Sequence, residues 1–106
     1  MNKPVELRYL PLYYEDLNAA VQYLSRDLGN SSAARRLLNE TERAILERLP
    51  AADCFAPLPE KNRSIPYYRI HVRNYTIYYV VFEFEDRKIM EVRRLIHKSR
   101  NSERLL

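Results

Sequence analysis

The sequence predicts an α+β fold of order β-α-α-β-β-β, with a helix hairpin packed on one face of an antiparallel sheet, in a single domain over residues 1–106. Two stretches with helical apolar spacing meet around Gly29, the only glycine in the chain. Three stretches rich in Tyr, Ile and Val follow a proline-rich connection, and residues 4–10 alternate with period two. A chain of 106 residues can bury one core without disulfide or metal staples and is too short for two.

In the segment "PVELRYL", Val5, Leu7 and Tyr9 alternate with Glu6, Arg8 and Leu10, the pattern of a half-buried strand that Pro11 ends. From about Tyr13 to Leu28, the residues Leu17, Ala20, Val21, Leu24 and Leu28 recur at helical spacing, and Glu15 and Asp16 are expected in the first turn, where the helix dipole favours negative charge. Gly29 falls where a left-handed C-terminal cap costs least for a residue without Cβ. Asn30, Ser31 and Ser32 offer capping oxygens for a second helix, whose stripe of Ala34, Leu37, Leu38, Thr41, Ile45 and Leu49 runs to Pro50. So short a link makes the helices an antiparallel hairpin whose apolar face needs a sheet.

Residues 50–66, with Pro50, Pro57, Pro59, Pro66, Asn62 and Ser64, read as an irregular connection. Strands are expected over about 67–73, 75–83 and 88–96, turning at Arg73 and Asn74, where Asn tolerates a positive φ, and at Glu85, Asp86 and Arg87. Alternation sends Tyr68, Ile70 and Val72 to the helices, and Arg69, His71 and Arg73 to the opposite, open face. In the last strand Met90, Val92 and Ile96 go inward and Glu91, Arg93, Leu95 and His97 outward, which leaves Arg94 inside without an explanation. Arg69, His71, Arg73, Arg93 and His97, with Lys98 and Arg100 nearby, would then form one cationic surface interleaved with tyrosines. Such a surface suits phosphate, because guanidinium is a bidentate donor and aromatic rings can stack on bases; it is also what the solvated face of an antiparallel sheet commonly looks like. The tyrosines themselves are expected mostly as core or edge filler.

Charge is divided along the chain. Residues 1–60 carry seven Lys/Arg against nine Asp/Glu, and residues 61–106 eleven against five. A clustered positive field attracts either a polyanion or an acidic protein. No apolar run approaches the roughly 18–20 residues needed to cross a bilayer, and "MNKPVELRYL" lacks the zones of an export signal, so a cytoplasmic location without membrane association is expected. Cys54 is the only cysteine, which excludes an internal disulfide, and no histidine neighbours it in sequence to activate it. One glycine excludes a phosphate-cradling loop; two histidines and no CxxC or HExxH argue against a metal; no cofactor is implied. Any chemistry would have to use basic groups.

The segments "YYEDLNAAVQYLSRDLGNSSAARRLL", "YYRIHVRNYTIYYVV" and "MEVRRLIHKSRN" together resemble the RelE/ParE superfamily, toxins of bacterial type II toxin-antitoxin systems, over roughly residues 5–101. Resemblance to the RelE branch, the reading that His71 and the surrounding Arg and Lys favour, implies metal-independent cleavage of messenger RNA on the ribosome. Arg69, His71 and Arg100 would then be catalytic, and Arg73, Arg93, His97 and Lys98 would bind the nucleic acid. Histidine suits proton transfer near neutral pH, so His71 would be the base or acid. Thr76 stands where RelE-like enzymes carry an arginine, and "NSERLL" holds no C-terminal tyrosine. The ParE branch, which the hairpin and "LIHKSRN" resemble, implies a protein-contact poison of DNA gyrase without chemistry of its own. A non-toxic RNA-binding module is a third expectation. Either toxin branch implies a cognate antitoxin, acidic where it would mask the basic face.

Overall fold

The computed structural model describes residues 3–59 and 64–106, without the side chain of Glu103. Strand β1 (Val5–Tyr9) leads into helix α1 (Pro11–Gln22), a π-helical turn (Tyr23–Asp27) and helix α2 (Ser31–Arg48). After a short 3-10 turn (Leu49–Ala51), strands β2 (Tyr68–Val72), β3 (Tyr75–Glu83) and β4 (Lys88–His97) form the expected meander, and a one-turn helix α3 (Ser102–Leu105) follows. Asn62 of the expected irregular connection, like Met1 and Asn2, lies outside the described residues.

The hairpin forms for the local reasons read above, with one shift. Pro11 both ends the strand and opens α1, in the first turn, where its missing N–H costs nothing. Glu15 and Asp16 therefore sit one turn further in than expected, and no acid occupies the first turn. Gly29 takes φ +59°, and Asn30 caps α2 by accepting from the Ala33 N–H at 3.0 Å. Thr41, buried on the packed face of α2, gives its hydroxyl proton to the Leu37 carbonyl at 2.8 Å, which satisfies the one polar group of that stripe.

The sheet has the order β1-β4-β3-β2, and β1 lies parallel to β4, with Val5 opposite Lys88. The sheet is thus mixed, where an antiparallel one was expected: α1 begins two residues after β1 ends and crosses over the sheet before the meander returns. Between α1, α2 and the sheet lies the main core, in which Ile77, Tyr79, Met90 and Val92 have no exposed surface. Each such aliphatic side chain contributes about 1.5–3 kcal/mol by leaving water.

A β-bulge changes the second half of β4. Tyr79 pairs with Val92 and Tyr78 with Arg94, so Arg93 is an extra residue and the alternation shifts beyond it. Leu95 therefore joins the helix-side core and Ile96 the opposite cluster, the reverse of the expected faces. The same shift resolves Arg94. Its guanidinium reaches α1, donating to both oxygens of Asp16 at 2.7 and 3.0 Å, while Nη1 donates to the Leu105 carbonyl at 2.7 Å. Asp16 also accepts from the Leu95 N–H at 3.0 Å.

The outer face of the sheet is not open as expected. Tyr67, Tyr78, Val80 and Ile96 form a second buried cluster, covered by Leu58 and Ile65 of the connection and by Leu105 and Leu106. The connection itself is anchored by Tyr79, whose hydroxyl donates to the Ala52 carbonyl at 2.6 Å and accepts from Arg48 at 2.9 Å.

Candidate functional site

The seven cationic candidates do not meet on one surface. Arg69 and His71 lie two residues apart on the exposed side of β2, facing away from the helices, as alternation requires. The Arg69 guanidinium has no partner among the described residues. His71 Nδ1 stands 3.1 Å from the Thr76 hydroxyl on the neighbouring strand, a contact that fixes the ring and leaves Nε2 without a partner among the described residues.

Arg73 is a correction. It, and not Asn74, carries the positive φ of the turn, at 54°, and its guanidinium makes a bidentate pair with Glu40 of α2 at 2.7 Å, which draws it toward the helices. The Arg73 contact holds the Glu40 carboxyl below its ordinary pKa. His97 is the second correction: beyond the bulge it shares a face with Tyr75, their rings edge to face at 5.0 Å, and both line a cleft against α1. Lys98 and Arg100 are exposed in the turn after β4, where the Lys98 N–H donates to the Asn74 carbonyl.

Arg93 does lie on the outer face, but its charge is compensated. Glu91, only 4% exposed, accepts from Arg93 Nε and Arg8 Nε, each at 2.8 Å, and Arg93 donates to the Tyr67 hydroxyl at 3.0 Å. Both guanidiniums stand against the Phe82 ring, 5.6 and 5.9 Å from its centroid. Sequence reasoning missed this Arg8–Glu91–Arg93 group. Arg8 and Glu91 do fall at solvent-facing positions of their strands, but only the parallel pairing of β1 with β4, with Arg8 opposite Glu91, brings them together.

Two concave features flank the sheet. One is the cleft of about 400 Å³ between α1 and the end of β4, lined by Tyr23, Tyr75, His97 and Arg100 among others. The other is a groove of about 620 Å³ along α1, α2 and β1, where Tyr14, Leu38 and Leu46 are exposed above Leu7 and Tyr9. Among the described residues no cluster of His, Cys, Asp or Glu could hold a metal ion, and no helix is long and apolar enough to cross a membrane.

No curated protein matches the chain. Among solved structures, the chromosomal ParDE toxin-antitoxin system from P. aeruginosa has the same fold, with a TM-score of 0.69 at 13% identity over 88% of this chain and 95% of that one. The sequence model of the ParE toxin of the type II toxin-antitoxin system parDE matches residues 7–102, which takes in both helices of the hairpin, the second half of β1 and all of β2, β3 and β4. The chain therefore belongs to the ParE toxin family, within the RelE/ParE superfamily.

Proposed function

We propose that this toxin, acting in the cytoplasm as one domain, arrests growth by protein contact with DNA gyrase, without making or breaking a bond itself. The observation that carries this reading is the dispersal of its cations. Arg73 is held by Glu40 and Arg93 by Glu91, while His97 lies on the other side of the sheet from His71. Arg69 and His71 remain together, beside Thr76, where the RelE-like nucleases that the chain resembles carry an arginine. Transition-state charge on a phosphate needs several donors converging on one point, and two on one strand edge supply few of them. Exposed Arg69, Lys98 and Arg100 suit an acidic protein surface instead, where they would speed encounter more than they deepen affinity.

A second reading, ribosome-dependent cleavage of messenger RNA, keeps one specific support: the His71 ring is oriented by Thr76, next to an Arg69 guanidinium that, like His71 Nε2, has no partner among the described residues. Expression of the chain without a partner, with gyrase supercoiling assays and mapping of message 5′ ends, separates the two. Gyrase poisoning with intact messages is expected. Ribosome-dependent cuts that disappear in Arg69→Ala or His71→Ala would replace this reading with the nuclease, and growth without arrest would leave the RNA-binding module.

The family implies an antitoxin as partner, and the solved relative is of such a system. The groove beside β1, with Tyr14, Leu38 and Leu46 uncovered, supports a mainly apolar contact on the hairpin in place of an acidic mask over the cations. Affinity for that partner should then change little between low and high salt, whereas a charge mask would weaken steeply.

A further inference from the structure

The cleft between α1 and the end of β4 has a chemistry that the toxin's target does not explain. Its volume of about 400 Å³ lies within the range of about 300–1,000 Å³ found for small-molecule sites. The helix breaks beside it. Where α1 ends, the chain widens into a π-helical turn, with the Leu28 N–H donating to the Tyr23 carbonyl at 3.0 Å, and this rare geometry places Tyr23 on the rim, half exposed. Small Ala19 and Ala20 leave room beneath. Tyr23 and Tyr75 both line the cleft, and the Tyr75 hydroxyl ionises later than an ordinary tyrosine, first because it is buried and then because the Tyr23 phenol is near.

The polar groups of the cleft offer hydrogens and little else. Its one described carboxylate, Asp16, is spent on Arg94 and the Leu95 N–H. The Leu105 carbonyl is spent on Arg94 as well. His97 Nδ1 is taken up by Ser99, standing 2.8 Å from its hydroxyl and 3.1 Å from its backbone N–H, so Nε2 is the ring nitrogen left to meet a ligand. Arg100 brings a guanidinium without a partner among the described residues. An anion is favoured there, and a plain carboxylate or phosphate would leave the exposed Tyr23 ring and the apolar floor of Leu95 unused.

We propose that this cleft binds a small aromatic anion, of the class of a nucleoside monophosphate, with its ring against Tyr23 and Tyr75 and its phosphate on Arg100 and His97. The site is on the helix side of the sheet, apart from Arg69 and His71, and it stands whichever target the toxin attacks.

Titration of the full chain with GMP, followed by the His97 ring protons and backbone amide shifts in NMR spectra, tests it. Saturable shifts confined to residues 19–23, 75 and 94–100 are expected. Guanosine and inorganic phosphate should each bind about ten-fold or more weakly, the loss that follows from removing a charge-assisted contact or a stacked ring. Ala19→Trp, at an exposed helix position, should fill the cleft and abolish the shifts in a protein whose spectrum is otherwise folded; Arg100→Gln should bring GMP down to the affinity of guanosine. No saturation up to millimolar GMP, shifts centred on Arg69 and His71, or phosphate binding as well as GMP would overturn the proposal.

Discussion

Replacing Asp16 by Ala removes one carboxylate and strands three donors. The Asp16–Arg94 pair has side-chain exposures of only 15% and 17%, and the Leu95 N–H that shares the carboxylate belongs to a buried residue. An exposed pair would be worth about 0–1 kcal/mol, while breaking a fully buried one costs about 3–5 kcal/mol, and this pair lies nearer the second limit. Water entering from the neighbouring cleft can reach the freed guanidinium, which moderates the loss to about 2–3 kcal/mol. In urea unfolding with a slope of about 1.5 kcal/mol per molar, the midpoint should fall by about 1.3–2 M with the slope unchanged. A double-mutant cycle with Arg94→Ala isolates the pair, and coupling of about 1.5 kcal/mol or more is expected. A midpoint shift below about 0.3 M, or additive single effects, would refute the argument that burial and shared hydrogen bonds make this contact structural.

Tyr79→Phe deletes the hydroxyl that joins Ala52 and Arg48, and a loss of about 1–3 kcal/mol is expected in the same urea assay, with earlier proteolysis in the connection after α2. Gly29→Ala meets no atom within 4 Å, so its cost is backbone strain at φ +59° alone, about 1 kcal/mol, and Gly29→Asn should cost less. Burial raises the Tyr13 hydroxyl from 10.0 to about 12. Its neutral form is thus favoured by folding, so this stabilisation is complete below pH 10 and is lost as pH rises through about 12; absorbance titration at 295 nm should show an alkaline component that Tyr13→Phe removes.

The parts of this fold that were legible in the sequence are the local ones. Helical spacing, Gly29 and the Asn30 cap define the hairpin, period two defines β1 and β2, and richness in Tyr, Ile and Val marks β3, because each depends on residues a few positions apart. Neither the parallel pairing of β1 with β4 nor the covering of the outer face by Leu105 and Leu106 has such a local cause; both join segments distant in the chain. The bulge at Arg93 is a different kind of failure: one extra residue inverts every later face, and so His97 was expected opposite to where it lies. Arg94 held the signal. An arginine with no place on the inner face marks a break in the alternation, and reading it so would have returned Leu95 to the core. Of the candidate site, the positions of Arg69 and His71 were legible, and so was Glu91 beside Arg93 on one face of β4, while the acid that holds Arg73 comes from another element, α2.

Because Lys88–His97 is the strand between β1 and β3, the four-stranded sheet cannot assemble on the ribosome until that segment has been translated. The N-terminal strand and hairpin wait, their apolar faces unshielded, for a partner strand made more than 80 residues later. A nascent toxin is therefore inert for most of its synthesis, and throughout that interval its uncovered hairpin is accessible to chaperones.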